Sequence, residues 1–260
     1  MGQERIIHAA LLGAGTVGSG VYKLVKDLEE EIISKTGARL VVDKILVRDT
    51  TKAREGIPSE LLIDRWDEIL NDPQIEIVIE VMGGIRPALT WLEEALRAGK
   101  QVVTANKDLL AEYGEQLFDA AEAGKCDLHF EAAVAGAIPI IRPLRQSLVA
   151  SELTEVMGIV NGTTNYILTR MTEDGMGYEE ALALATKLGY AESDPTADVE
   201  GYDAGRKVAI MASIAFNSNV TFSQVYTEGI THITAEDIRY AKEFGYVITV
   251  SYTHLTLPTN

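Results

Sequence analysis

A glycine-rich turn stands between an apolar run and an amphipathic stretch near the start of the chain. Ile6 to Leu12 is apolar apart from His8, as in a buried strand, and Gly13-Ala14-Gly15-Thr16-Val17-Gly18 follows at once. Apolar residues then recur at helical spacing, at Val17, Val21, Leu24, Val25 and Leu28. A strand, a G-x-G-x-x-G turn and a helix in this order are the context of a dinucleotide-binding fingerprint. The turn therefore favours an α/β domain that binds a nucleotide over a purely structural glycine turn.

Each glycine of this turn has its own physical role in such a fingerprint. Gly13 allows the tight turn, Gly15 lets a pyrophosphate approach the backbone, and Gly18 lets the helix pack closely on its strand. The free N–H groups and the positive dipole end of the helix favour phosphates. We therefore expect the cofactor phosphates at residues 13–18.

The following segments alternate between strand and helix patterns, which predicts a Rossmann-type doubly wound parallel sheet. The predicted strands are Ile6–Leu12, Arg39–Val47, Ile75–Val81, Gln101–Thr104 and Asp127–Glu131, and the predicted helices include Trp66–Leu70, Pro87–Ala98 and Lys107–Ala123 closed by Gly124. Ligands of such sheets bind outside the carboxyl ends of the strands. We therefore expect one crevice to be lined by residues 13–18, Gly83, Gly84, Lys107 and Glu131.

The residues after the second predicted strand bear on the choice of cofactor. A carboxylate at this point bonds the ribose 2′-OH of NAD, whereas an arginine holds the 2′-phosphate of NADP. Arg48 and Asp49 are both present, with Lys52 and Arg54 close by. The sequence favours NADP and leaves NAD open, and Lys52 and Arg54 fit a solvated charged loop nearly as well.

Near Ala132 the alternating pattern ends, and we expect a second, substrate-bearing α+β domain from Ala135 onward. A strand is predicted over Glu152–Val160 and helices over Tyr166–Thr172 and Tyr178–Leu188. The hydroxyls of the turn at residues 161–165 are candidate caps for the first of these helices.

An acidic loop then leads into a helix that is apolar on nearly every side, as a buried helix is. Asp203 and Lys207 lie four residues apart at their junction, on one helical face. A lysine in such a place has its pKa moved by burial or by neighbouring carboxylates. Taken alone, the pair fits an exposed Asp–Lys helix pair better than a catalytic site. The carboxylates of the loop fall within twelve positions, at Glu192, Asp194, Asp198, Glu200 and Asp203.

Charge and cysteine content exclude several classes of protein. The net charge of −16 argues against binding nucleic acid or an anionic membrane surface, since both need a basic patch. One cysteine, Cys126, rules out an internal disulfide and suits a cytoplasmic protein. The sequence contains neither a signal-peptide pattern nor an apolar run long enough to span a bilayer.

Taken together, these segments resemble the homoserine dehydrogenase family over about the first 249 positions. The acidic motif that ends at Lys207 is the most specific of the matching segments. They are GAGTVG from Gly13, EVMGG from Glu80, VVTANK from Val102, EAAVAGAIPI from Glu131, GIVNGTTNYIL from Gly158 and LGYAESDPTADVEGYDAGRK from Leu188. The resemblance implies an enzyme that interconverts homoserine and aspartate 4-semialdehyde with NAD(P), in the route to threonine, methionine and isoleucine.

The resemblance also implies roles for individual residues. Lys207 matches the proton donor and acceptor, and Glu192 and Asp203 match carboxylates that hold the substrate. A monovalent cation, usually sodium, is implied at Glu131 with the carbonyls of Val134, Gly136 and Ile138. Pairing of subunits into a homodimer or a higher homo-oligomer is implied for the full-length protein. Cofactor contacts are implied at Thr16, Val17, Lys107 and Gly189, in addition to those predicted above at Gly13, Gly15, Gly18 and Arg48.

The end of the chain departs from the family pattern. Val250 to Thr259 resembles the translation of a sequencing adaptor in one reading frame. We therefore expect a cofactor domain over residues 1–134, a truncated catalytic domain over 135–249 and a non-native tail over 250–260. Three other readings stay open, namely another amino-acid dehydrogenase such as one acting on aspartate, a nucleotide-binding module without turnover, and half of an aspartate kinase fusion.

Overall fold

The computed structural model of the protein describes residues 5–249 and 252–255. The chain divides into two compact units, Met1–Gly136 and Ala137–Asn260. Each unit is described by itself below.

The first unit is built on a six-stranded parallel sheet with the order β3-β2-β1-β4-β5-β6. Residues 9–12 at the centre of the sheet are fully buried, which explains their apolar character. The strands are β1 Arg5–Leu12, β2 Ala38–Leu46, β3 Leu62–Ile63, β4 Ile75–Glu80, β5 Gln101–Thr104 and β6 Leu128–His129. The predicted Rossmann-type parallel sheet is confirmed, with the two-residue edge strand β3 added to the five that were predicted.

Five helices of the first unit connect these strands. They are α1 Thr16–Asp27, α2 Glu29–Thr36, α3 Asp67–Leu70, α4 Ala88–Arg97 and α5 Lys107–Gly124. The strands end level with one another, because Leu12 pairs with both Leu46 and Glu80, and Glu80 also pairs with Thr104. The segments that follow β1, β2, β4 and β5 therefore lie at one edge of the sheet.

Gly124 does not close α5 as the sequence analysis predicted. It is the last residue of the helix, and Lys125 takes the left-handed conformation instead, with φ of 56°. A Cβ atom on Gly124 would lie 1.8 Å from the carbonyl oxygen of Leu96. The glycine is thus required by close contact between α5 and the end of α4 and not by the geometry of a helix terminus.

The second unit combines helices with a two-stranded antiparallel sheet. Its strand β7 is shorter than the predicted Glu152–Val160, and α6 begins four residues earlier than predicted. Its elements are β7 Glu155–Gly158, α6 Gly162–Glu173, α7 Tyr178–Lys187, α8 Thr196–Val199, α9 Tyr202–Ala215, α10 Ala235–Glu243 and β8 Tyr252–Leu255.

Helix α9 forms part of the interior of the second unit. Residues 208–212 are all buried, as the apolar pattern predicted. Two glycines allow close packing in this unit. A Cβ on Gly205 would lie 2.4 Å from Thr227 Cγ2, and one on Gly229 would lie 2.5 Å from the carbonyl oxygen of Val199. The amide of Ile230 donates to that same oxygen at 2.8 Å, so residues 229–230 hold the end of α8.

Within the described part of the chain, the helices are too short or too polar to cross a membrane. The prediction about residues 250–260 falls mostly outside the described residues. Only the backbone of Tyr252–Leu255 is described there, as strand β8.

Candidate active site

The glycine turn after β1 is packed tightly on both of its flanks. The amide of Gly13 donates to the carbonyl oxygen of Leu46 at 3.0 Å, and its φ of 102° favours glycine. A Cβ on Gly13 would lie 3.1 Å from Met82 Cγ, and a Cβ on Gly18 would lie 2.1 Å from the carbonyl oxygen of Gly13. The turn and the start of α1 therefore touch backbone to backbone, which only glycine at position 18 permits.

Gly15 differs from its two neighbours because space around it is open. A Cβ there would have no atom within 4 Å, and residues 15–17 are all exposed. Helix α1 begins at Thr16, and no side chain caps it. Its first N–H groups have no partner within the helix. The turn thus fits a pyrophosphate placed against Gly15, Thr16 and Val17, as the fingerprint requires.

The loop after β2 separates the two charges that bear on cofactor choice. Asp49 accepts hydrogen bonds from the hydroxyl and the amide of Thr51, at 2.6 and 2.9 Å, and these bonds lower the pKa of the Asp49 carboxyl. The guanidinium of Arg54 donates to the carbonyl oxygens of Asp49 and Lys52. Arg48 is exposed. Arg48 and Asp49 are thus both exposed, and of these two described side chains only the carboxylate is hydrogen-bonded within its own loop.

Three buried polar residues, Glu80, Thr104 and Asn106, join the ends of β4 and β5, and we call them the Glu80 network. Glu80 is fully buried and accepts from the amides of Met82 and Gly83, at 2.8 and 3.1 Å, and from the Thr104 hydroxyl at 2.6 Å. Asn106 donates to the carbonyl oxygen of Gly84 at 2.6 Å. The Glu80 network thus fixes the turn that packs on Gly13.

Asn106 also serves as the N-cap of α5. Its Oδ1 accepts from the amide of Leu109 at 3.1 Å. Lys107 is the first residue of the helix and is half-buried. The structure thus places Lys107 at the same edge of the sheet as the glycine turn, as predicted.

The residues predicted to bind a cation fall in both units. Glu131 begins a short 3-10 turn, Glu131–Ala133, and belongs with Val134 and Gly136 to the first unit. Ile138 belongs to the second unit. Among the described residues, no group of three or more His, Cys, Asp and Glu side chains is arranged to hold a metal ion. The predicted site relies on backbone carbonyls and is not of that kind.

In the second unit, the side chain of Lys207 is held by two oxygens. Its Nζ donates to Asp203 Oδ2 at 2.6 Å and to the carbonyl oxygen of Val160 at 2.7 Å. The Lys207 and Asp203 side chains are only 17% and 11% exposed, so the pair does not lie on an exposed helix surface. The ammonium is therefore fixed in direction and largely shielded from water.

Asn161 connects this pair to the acidic loop. Its Nδ2 donates to Asp203 Oδ2 at 2.9 Å and to Asp198 Oδ1 at 2.7 Å, and its Oδ1 accepts from the amide of Thr164 at 2.9 Å. Asn161 is 5% exposed and caps α6. We call Asn161, Asp198, Asp203 and Lys207 the Asn161 network.

The structure brings together only some of the acidic residues of the loop. Asp203 and Asp198 belong to the Asn161 network. Asp194 lies outside it and accepts from the hydroxyl and the amide of Thr196, and these bonds lower the pKa of its carboxyl. Glu192 is exposed on the segment between α7 and α8. It stays a candidate substrate ligand by position and by chemistry.

Gly189 takes the left-handed conformation just after α7, with φ of 80°. The next residue is held in two ways. The ring of Tyr190 stacks on that of Tyr166 with 4.6 Å between centroids, and its carbonyl oxygen accepts from the hydroxyl of Thr163 at 2.8 Å. The start of the acidic loop is thereby tied to α6.

Sequence reasoning missed the two asparagines and Glu80. It assigned the cap of α6 to hydroxyls of residues 161–165, whereas Asn161 is the capping residue. Asparagine is among the best N-cap residues, so the position was available as a signal. The partners of Asn161 lie 37 and 42 residues away in the sequence, beyond any local pattern.

Comparison with known families gives two matches that together span most of the chain. Residues 13–131 match the family model described as homoserine dehydrogenase, NAD binding domain. Residues 139–255 match the family model described as homoserine dehydrogenase.

Individual proteins and solved structures agree with these matches. The homoserine dehydrogenase of Bacillus subtilis is 47% identical over 245 residues, which cover 94% of this chain and 57% of that protein. A crystal structure of a homoserine dehydrogenase from Thiobacillus denitrificans has a TM-score of 0.90 and 43% identity, over 96% of this chain and 58% of that one. A protein from Archaeoglobus fulgidus, provisionally described as a homoserine dehydrogenase, has a TM-score of 0.83 and 33% identity, over 96% of this chain and 80% of that one. The chain thus spans somewhat more than half the length of the Bacillus relative.

Proposed function

The chain belongs to the homoserine dehydrogenase family, and on that premise we propose that the protein interconverts L-homoserine and L-aspartate 4-semialdehyde. The reaction transfers a hydride to or from NAD(P) and is a step in threonine, methionine and isoleucine biosynthesis. Its first unit contains the NAD-binding domain of that family, matched over residues 13–131.

The observation that carries the proposal is the position of Lys207. Its ammonium is held by Asp203 and by the carbonyl of Val160, in a largely buried place at the base of an acidic loop. An ammonium within hydrogen-bond reach of a carbonyl oxygen stabilises the charge that develops there on reduction and supplies the proton. We therefore assign Lys207 as the proton donor in reduction and the acceptor in oxidation.

Carboxylates of the loop suit a substrate with an α-ammonium group. A charge-assisted hydrogen bond between an ammonium and a carboxylate is shorter and stronger than a neutral one. We assign this role to Glu192 and Asp203. When bound, the nicotinamide supplies or accepts the hydride, and the protein orients it and manages the proton.

For the cofactor, we propose NADP with phosphates at the glycine turn. The open backbone at Gly15, Thr16 and Val17 supports this placement, with Gly13 and Gly18 shaping the turn. Exposed Arg48 beside the end of β2 is the candidate ligand of the 2′-phosphate, because Asp49 is engaged by Thr51. Lys107 and Gly189 are the remaining candidate cofactor contacts.

We further propose a domain division and a cation site. Residues 1–134 form the cofactor domain, and residues 135–249 form the substrate-bearing domain. Glu131 with the carbonyls of Val134, Gly136 and Ile138 offers only oxygen ligands, which suit a hard cation such as sodium. Replacing sodium by tetramethylammonium chloride at equal ionic strength should lower activity if this site is used, and equal rates in the two salts would argue against it.

We also propose that the complete protein is a homodimer or a larger homo-oligomer. The family resemblance supports this assignment. The mass of the purified protein in solution, measured by light scattering, tests it. A monomer mass would contradict the proposal.

The proposed reaction is tested with the complete protein encoded by its native gene. We expect NADPH oxidation on addition of aspartate 4-semialdehyde, and loss of that activity in Lys207→Met. Binding of NADPH without turnover, or turnover of aspartate in place of homoserine in the oxidative direction, would contradict the proposal.

The chain offers a closely matched control lysine. Lys44 donates to Asp72 Oδ2 at 2.7 Å and to the carbonyl oxygen of Glu68 at 2.6 Å, and it is partly buried. It thus has the same kinds of partner as Lys207, in the first unit. Lys44→Met should lower Tm and leave kcat unchanged, whereas Lys207→Met should lower kcat by about 10²–10⁴-fold.

Arg48 is tested separately because it concerns only cofactor choice. Arg48→Ala should raise KM for NADPH and leave KM for NADH nearly unchanged, since only NADPH carries the 2′-phosphate. Equal use of both cofactors by the unmutated protein, with no change in the variant, would contradict the preference for NADP without affecting the proposed reaction.

A further inference from the structure

We infer that Asn161 is a positioning residue that holds the Asp203 carboxylate, and through it the ammonium of Lys207, in the geometry used for proton transfer. This inference rests on the proposed function of Lys207. It assigns to Asn161 a role that its position as a helix cap alone does not require.

The orientation of the Asn161 amide is determined by its surroundings. Its Oδ1 faces the backbone amide of Thr164 at 2.9 Å, and a backbone amide is always a donor. The oxygen must therefore point to α6, and the Nδ2 group must point to the two carboxylates. Asp198 and Asp203 accept one hydrogen bond each from that group, at 2.7 and 2.9 Å.

The same oxygen of Asp203 serves both Asn161 and Lys207. Oδ2 accepts from Lys207 Nζ at 2.6 Å and from Asn161 Nδ2 at 2.9 Å. The preceding residue, Val160, accepts from Lys207 through its carbonyl oxygen at 2.7 Å. Residues 160–161 thus contact both members of the pair, one through the backbone and one through the side chain.

The Asn161 amide does not titrate, whereas Lys207 gains and loses a proton in the proposed reaction. When Lys207 gives up its proton, Asp203 loses a cationic neighbour. The N–H of Asn161 still donates to Oδ2 in that state, so the carboxylate stays in place. The lysine is therefore returned to the same geometry when it is protonated again.

A purely structural role for Asn161 is separable from this one by substitution. Serine is also a good N-cap residue, because its hydroxyl oxygen accepts from the first-turn amides. Asn161→Ser keeps a cap for α6 and removes the donors to Asp198 and Asp203. Asn161→Asp keeps the shape and the cap and replaces the donors by a third carboxylate.

Thr234 provides a control for the loss of a cap. It is the N-cap of α10, where its hydroxyl oxygen accepts from the amide of Asp237 at 3.1 Å. Thr234→Ala should lower Tm and leave kcat unchanged.

The test is steady-state kinetics of these variants in the complete protein. Asn161→Ser should lower kcat by about tenfold to a hundredfold, the loss corresponding to one hydrogen bond to a charged group. KM for NADPH should be unchanged, and Tm should fall no further than in Thr234→Ala. In a Lys207→Met background, Asn161→Ser should cause no further loss of kcat, because the amide affects proton transfer through the lysine.

Each alternative result has a definite meaning. Wild-type kcat in Asn161→Ser, with kcat strongly lowered in Lys207→Met, overturns this inference and leaves the proposed function standing. An unmutated protein without turnover, or an active Lys207→Met, overturns both. If Asn161→Ser melts far below Thr234→Ala, Asn161→Asp takes its place, and wild-type kcat there overturns the inference. If neither variant folds, Asn161 is a structural residue and the inference is wrong.

Discussion

The Glu80 network and the Asn161 network share two kinds of residue, a helix-capping asparagine and a buried carboxylate, and differ in the partners of both. Each contains an asparagine that caps a helix through Oδ1 and reaches away from it through Nδ2. Asn106 reaches the backbone carbonyl of Gly84, whereas Asn161 reaches two carboxylates. Each also contains a buried acidic residue, Glu80 or Asp203.

The difference lies in what the carboxylates meet. Among the described residues, the donors to Glu80 are two backbone amides and the Thr104 hydroxyl, all uncharged, and Glu80 is fully buried. Asp203 accepts a hydrogen bond from the ammonium of Lys207, and the side chains of Lys207 and Asp203 are 17% and 11% exposed. Uncharged donors fix a backbone shape, whereas a partly accessible ammonium can exchange a proton. The comparison therefore separates a network that fixes backbone shape from one that we propose exchanges a proton.

The largest effect is expected from Lys207→Arg, which keeps the positive charge of the Asn161 network. Arginine cannot release a proton near neutral pH. We expect kcat to fall by about 10²–10⁴-fold, the range for losing a positioned acid or base. The measurement is kcat with Tm as the control for folding. If most of the rate survives, the lysine acts by its charge alone and the contrast with the Glu80 network is weaker than proposed.

Removing one charge from a carboxylate should have a smaller effect. Asp203→Asn and Glu192→Gln keep the shape of the side chain and lose its charge. Since a hydrogen bond to a charged group contributes about 1.5–3 kcal/mol, each should lower kcat/KM by roughly tenfold to a hundredfold. NADPH binding, measured by fluorescence titration, should not change. Unaltered kinetics in either variant would remove that residue from the substrate site.

Glu80→Gln makes the corresponding change in the Glu80 network. Glutamine keeps one carbonyl oxygen, which can accept from the two backbone amides or from the Thr104 hydroxyl. Its NH2 group takes the place of the other carboxylate oxygen and cannot accept the remaining hydrogen bond. We expect a loss of about 1–3 kcal/mol in the free energy of unfolding, the cost of an unsatisfied buried polar group. Chemical denaturation measures it. A loss of kcat at saturating NADPH that matches that of Lys207→Arg would break the distinction between the two networks.

The smallest effect concerns the ion pair of Lys44 and Asp72, and it depends on pH. The hydrogen bond from Lys44 is the largest cause of the lowered pKa of Asp72, followed by the amide of Gln74. A carboxyl whose folded pKa is lowered contributes stability above its unfolded pKa of about 3.9 and loses it as the pH falls through the folded pKa. The Tm difference between the unmutated protein and Lys44→Met should therefore narrow between pH 7 and pH 3. A difference that stays constant would assign the effect of Lys44 to packing.

Much of the first unit was predictable because its signals are local. Apolar runs predicted the bounds of four strands closely, and the glycine turn predicted the start of α1. Strand β3 was missed because two residues cannot show a pattern. The role of Gly124 was predicted wrongly because glycine is required there by the carbonyl oxygen of Leu96, an atom of another helix. Contacts of that kind leave no mark in the surrounding sequence.

The candidate site shows the same limit more strongly. The pairing of Asp203 and Lys207 was predictable because four residues in a helix fix their distance. Asn161 was not predicted as their partner, since its bonds join residues far apart in the sequence. Glu80 was quoted as part of a motif, but burial alone distinguishes it from an ordinary charge at the end of a strand.

The packing of Gly229 against α8 predicts a temperature-sensitive allele. A methyl group on this glycine must push back the carbonyl of Val199 and the backbone of Glu200, next to Asp198. Gly229→Ala therefore strains the segment that carries part of the Asn161 network and changes none of its members. We expect such an allele to be functional in cool cultures and inactive in warm ones. One added methyl group would then make the activity of the protein depend on the growth temperature.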